Sequence, residues 1–157
     1  MPGSLLMAFL WHHAPWSLDV RRAMPDAILL VTLYWVLRKP HLLGCGWAFV
    51  LGLIRDSSEG APLGEHALAM VVVCYLVQLG QPRLRLLALW QQALVVVLLC
   101  ALYLLACNWV HLLYQPAIAG KPLALLPAVY GGLCWPVLCL LLRLLEKGGS
   151  PQRVQRA

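Results

Sequence analysis

Charge is what this sequence has least of. Only 11% of its 157 residues are Asp, Glu, Lys or Arg, against about 25% in an ordinary soluble domain. Apolar residues, counted broadly, make up 62%. A chain this short has too little interior to hide that much apolar side chain from water. Lipid is therefore the solvent for much of its surface, and residues 1–147 read as a single multi-pass membrane domain. Motifs of catalysis are missing too. There is no G-x-S-x-G, no P-loop and no legible Ser-His-Asp or Cys-His arrangement, so the chain does not read as an enzyme. The six cysteines, at 45, 74, 100, 107, 134 and 139, form no C-x-x-C pair. With no His or carboxylate at ligand spacing beside them, neither a disulfide framework nor a zinc site is indicated. Met1 to Trp16 lacks the basic start and small-residue cleavage site of a removable signal peptide.

The net charge of +6 sits at the ends of apolar runs and in the C-terminal tail. That is the placement expected for lipid headgroups. No basic stripe with interleaved aromatics exists, which argues against nucleic acid as a partner.

In order, Met1 to His13 offers about half of a spanning helix, which needs roughly 20 residues. Pro25 suits the first turn of a second helix, with Asp26 complementing its dipole. Ala27 to Leu37 is an apolar run closed by Arg38, Lys39 and Pro40, and Leu42 to Ile54 is another. Gly52 to Gly64 concentrates Arg55, Asp56, Glu59, Pro62 and three glycines. Glu65 to Leu79 reads as helix, and Gly80 to Arg85 as a turn. Leu86 to about Tyr114 is a full span. Leu123 to Leu145 is the last, broken by Gly131, Gly132 and Trp135-Pro136 and kinked at the proline. Residues 148–157 form a basic, disordered tail. Strand competes for runs this short, but they do not alternate in polarity as a barrel needs, and closely packed helices fit better. The fold class is all-α: an integral membrane bundle of about six (five to six) transmembrane helices.

Arg38, Lys39, Arg83, Arg85, Arg143, Lys147, Arg153 and Arg156 fall on one side of this topology. Arg21, Arg22, Arg55 and Lys121 fall on the other, eight against four. The positive-inside rule then puts both termini in the cytoplasm and Gly52 to Gly64 at the outer face.

Several residues invite a chemical reading. Asp56 and Glu59 would share a face if helical and would suit acid–base work. The adjoining Arg55 and the following Pro62 favour an outer loop instead, with Asp56 structural or partner-binding. Gly60 and Gly64 have helix-packing spacing, but Pro62 between them favours a tight turn. The histidines (12, 13, 41, 66 and 111) are scattered without an i, i+4 partner, so no metal site is indicated. Gln91 and Gln92, one turn into a long apolar helix, call for a hydrogen bond to another helix, with Trp90 as a belt residue. Trp135-Pro136 is either a hinge or a fixed kink filled by the indole.

Four motifs together carry a resemblance. They are Leu33-Tyr34-Trp35-Val36-Leu37 leading to Pro40-His41, and Gly52-x-x-x-Asp56-x-x-x-Gly60-x-x-Leu63-Gly64. The others are Leu87 to Val96 around Trp90-Gln91-Gln92, and Gly132-x-x-Trp135-Pro136. From Pro25 to Lys147 the chain resembles the rod shape-determining protein MreD family of Gram-negative bacteria. The resemblance implies a non-enzymatic subunit of the bacterial inner membrane that helps control cell shape and peptidoglycan synthesis. It implies MreC as a partner, with RodA, its partner transpeptidase and MreB in the same elongation complex. It marks Gly52, Asp56, Gly60, Gly64, Trp35, Pro40, His41, Trp90, Gln91, Gln92, Trp135 and Pro136 as structural or partner-binding positions. No cofactor is implied. The family is also similar to the S-component fold of energy-coupling-factor transporters. That implies an alternative, a small-ligand binder with an outer cavity lined by Asp56, Asn108 and Gln115. The family's first helix is a full span, and Met1 to His13 departs from it.

Overall fold

A computed structural model of the chain describes residues 2–12, 25–39, 44–114 and 125–148. These form six α-helices: α1 Pro2–His12, α2 Ala27–Arg38, α3 Cys45–Glu59, α4 Glu65–Leu84, α5 Leu89–Tyr114 and α6 Leu126–Gly148. No strand occurs among the described residues. Among the described residues, three helices are long and apolar enough to cross a membrane: α4, α5 and α6 as far as Leu145. Leu94, Leu98, Leu105, Leu133, Val137 and Leu140 are exposed along α5 and α6, as a lipid-facing surface requires.

The centre is α2. Every residue from Ile28 to Val36 is buried, because the helix is apolar on all sides and packs against α1, α4 and α6. Its 12 residues span only about 18 Å, well short of a hydrocarbon core of about 30 Å. Its end groups must therefore find partners inside the protein. Asp26 is the N-cap, and its side chain accepts from the Leu29 N–H at 3.2 Å. Pro25 thus lies before the cap, not in the first turn as the sequence suggests. At the other end the Leu37 carbonyl accepts from Gln81 Nε2 at 3.1 Å and Arg85 Nε at 2.7 Å. The Arg38 carbonyl accepts from Arg85 Nη2.

Those contacts explain a second difference. The residues from Gly80 to Leu84 are the last turn of α4, which runs through Pro82. Proline removes one backbone hydrogen bond, and the side chains of Gln81 and Arg85, anchored on α2, hold the turn. A third difference concerns the charged stretch. Arg55, Asp56 and Glu59 lie in the last turns of α3, so only Gly60 to Gly64 connects α3 to α4. Likewise α6 is continuous through Gly131, Gly132 and Pro136.

Helices α3 and α4 meet closely where a side chain would forbid it. A Cβ on Gly52 would lie 2.2 Å from the Ala67 Cα and 2.6 Å from its nitrogen. Gly52→Ala should therefore push two backbones apart and cost about 1–3 kcal/mol. Gly46, on the same helix, has nothing within 4 Å of the corresponding position, and Gly46→Ala should be neutral or slightly stabilising. Thermal unfolding in detergent compares the two; equal melting temperatures would contradict the close packing.

Candidate functional site

Asp56 joins α3 to α4 with both its backbone and its side chain. Its carbonyl accepts from the Gly60 N–H and, at 3.1 Å, from the Ala61 N–H, a Schellman-type helix end. Gly60 has φ +66°, the left-handed conformation that end requires and that a Cβ disfavours. Its carboxylate starts the next helix. Oδ2 accepts from the Gly64 N–H at 2.8 Å and Oδ1 from the His66 N–H at 2.9 Å. Gly64, at φ +103°, is the N-cap and has no side chain to offer, so Asp56 supplies the missing acceptor from the previous helix. A carboxylate there also suits the positive end of the α4 dipole. His66 completes the junction: Nδ1 lies 2.8 Å from Asp56 Oδ1. The carboxylate can only accept, so Nδ1 carries the proton. Asp56 is 0% exposed, and both its oxygens are engaged by the chain's own donors.

Arg55 builds a second set of contacts beside it. Its guanidinium pairs with Asp26 on α2, donates from Nε to Glu59 at 2.8 Å and from Nη1 to the Tyr103 hydroxyl at 2.8 Å. It also lies 5.8 Å over the Tyr103 ring on α5. Glu59 in turn lies 3.7 Å from His66 Nε2. Asp56 and Glu59 thus share a helix face and flank the two nitrogens of His66, with Asp56 also held by backbone N–H groups and Glu59 by Arg55, so neither carboxylate stands free. Glu65, His66 and Cys107 bring one donor atom each within 4.8 Å of one another. Spacing in sequence could not show this grouping, because the donors come from α4 and α5. The cation of Arg55 in the same cluster works against a second cation there.

The remaining predicted residues lie elsewhere and do not form one site. Gln91 Oε1 accepts from the Ala88 N–H at 3.1 Å, the backward half of a capping box at the start of α5. Gln92 is buried, and its Nε2 donates to the carbonyls of Leu84 at 2.9 Å and Leu87 at 3.2 Å. It closes the α4–α5 turn as Asp56 closes the α3–α4 turn. The Trp135 indole, a donor only, approaches Gln92 Oε1 at 3.5 Å and so fixes which way the amide faces. Gly132, three residues before Trp135, lets α6 meet α5: a Cβ there would fall 2.2 Å from Val97 Cγ2 and 3.1 Å from the Ala93 carbonyl. Trp35 donates to Ser4 Oγ at 2.8 Å and ties α1 to α2. Trp90 is exposed. Pro40, His41 and Gln115 lie outside the described residues, as do residues 149–157 of the expected tail.

The whole-chain pattern has a match in known proteins. The family model described as rod shape-determining protein MreD matches residues 1–145. The chain belongs to the MreD family. A curated relative, the rod shape-determining protein MreD of Haemophilus influenzae, is 36% identical over 142 residues, covering 90% of this chain and 87% of its own length. No solved structure matches. MreD membership and three apolar helices of spanning length make this a helical membrane protein of the rod-shape system.

The MreD junction gives a direct stability test. Asp56→Asn keeps the volume but replaces an acceptor oxygen with a donor facing a backbone N–H. It should cost about 2–4 kcal/mol, read as a lowered melting temperature in detergent with helicity retained below the transition. A variant as stable as the parent would show that Asp56 does not hold the turn.

Proposed function

We propose that the protein is a non-enzymatic scaffold of the cell-elongation complex in the bacterial inner membrane. In this reading it binds MreC, sits with MreB in the same complex, and passes assembly state to RodA and its partner transpeptidase, so influencing peptidoglycan synthesis. The observation that carries it is how the family motif is used. Asp56, Gln91, Gln92 and Trp135 each spend their hydrogen bonds on helix junctions within the chain. No buried side-chain nitrogen or oxygen among the described residues lacks a partner. Among the described residues the polar side chains shape the bundle. An open apolar groove of about 700 Å³ between α1, α2 and α6, lined by Met7, Val31, Leu138 and Leu141 among others, supports recognition by a helix surface.

The ends of the helices support an orientation. Arg38, Arg85 and Arg143 gather at one end, with the start of α1 beside Trp35 there. Placing that end in the cytoplasm satisfies the positive-inside rule and sets the Asp56 junction toward the periplasm.

Co-purification with MreC from detergent-solubilised membranes tests the scaffold reading. The wild-type protein should retain MreC. Met7→Trp with Leu141→Trp, both exposed positions in the groove, should lower recovery by at least about tenfold, the loss expected when a central packed contact is removed. Failure of the wild type to retain MreC would sink the reading, and full recovery with the filled groove would move the interface elsewhere.

A further inference from the structure

The end of the bundle opposite Asp56 holds a group of charges that the helix junctions do not use up. Arg38 ends α2, Arg85 follows α4, and Arg143 lies near the end of α6. Together with Gln92, Tyr34 and Leu37 they line one cavity of about 320 Å³. Among the described side chains, the ion pairs involve only Arg55 and His66 as cations, and none of them reaches these three arginines. Like charges facing one space repel unless an anion lies between them. Two of the three are held in place. Arg85 is fixed by the carbonyls at the end of α2, and the Arg38 guanidinium lies 5.6 Å over the Tyr34 ring.

We propose that this cavity binds the phosphate of an anionic phospholipid. Guanidinium groups match phosphate oxygens with paired N–H donors, and basic pockets between helices at the membrane surface suit such headgroups. The surroundings select a lipid over a small soluble anion. The cavity sits at the ends of apolar helices, and Leu140 and Leu144 are exposed on α6 beside Arg143. They offer an outer wall for acyl chains. The gap beneath Gln92 and Trp135, toward the bundle centre, is only about 20 Å³. That is room for about one water molecule, so the acyl chains lie on the outside of the bundle. The headgroup would bridge the ends of α2, α4 and α6.

Native mass spectrometry of the full-length protein in detergent, titrated with phosphatidylglycerol or phosphatidylcholine, tests this. Phosphatidylglycerol should be retained in preference. Arg38→Gln with Arg143→Gln, leaving the structural Arg85 intact, should weaken it about 100-fold, as expected for losing two charge-assisted hydrogen bonds. Arg143→Gln alone, at an exposed position, should keep the fold and still weaken retention about tenfold. Arg83→Gln with Lys39→Gln removes two charges at the same end but outside the cavity. At high salt it should change retention by less than about threefold, since diffuse attraction is then screened. The proposal is overturned by equal retention of both lipids, by unchanged retention in the Arg143→Gln protein, or by an equal fall in the outside-cavity variant. Displacement of the lipid by millimolar inorganic phosphate would overturn the lipid assignment in favour of a free anion.

Discussion

A buried guanidinium constrains this fold more than any other group. Arg55 is 7% exposed, and a charge in that position costs several kcal/mol unless it is paired and hydrogen-bonded. Its partners come from different places: Asp26 at the start of α2, Glu59 one turn along α3, and Tyr103 on α5. The neighbouring Asp56 imposes the complementary demand, for donors, and finds them at the start of α4. Two consecutive residues therefore fix how α2, α3, α4 and α5 sit relative to one another. In lipid this matters more than in water, because apolar helix faces gain little by leaving one apolar solvent for another.

The same logic operates at the other end with backbone carbonyls as the buried groups. The short central α2 leaves carbonyls inside the protein, and Gln81 and Arg85 reach them. Gln92 satisfies the carbonyls of the α4–α5 turn, and Trp135 steadies Gln92. Between these two polar layers the helices approach through Gly52 and Gly132, where a methyl group would collide with backbone or a packed side chain. The residues that define the MreD resemblance are largely the ones that close turns or permit contact.

Much of this was legible in the sequence, for physical reasons. The scarcity of charge marks lipid as solvent, and the lengths of the apolar runs mark the helices. The stretch from Leu89 to Tyr114 is a helix of the expected extent. The errors have a common cause. Arg55, Asp56 and Glu59 read as a loop because local charge density resembles solvated chain. Their partners Asp26 and His66 lie 29 and 10 residues away along the chain. Pro82 reads as a helix end because the support for that last turn comes from α2. His66 reads as isolated because its neighbours Asp56, Glu59 and Cys107 lie on other helices.

The sequence by itself determined the solvent, the helical class, the glycine and proline punctuation and the family. Each follows from composition or local spacing, which need no knowledge of neighbours. Only the tertiary structure decided which charges are buried, which polar side chains close which turns, and which arginines share a cavity. Those outcomes depend on contacts between segments far apart in the chain. Gly52 illustrates the division: its place in a motif is a fact of sequence, but the need for glycine there comes from Ala67 on the next helix.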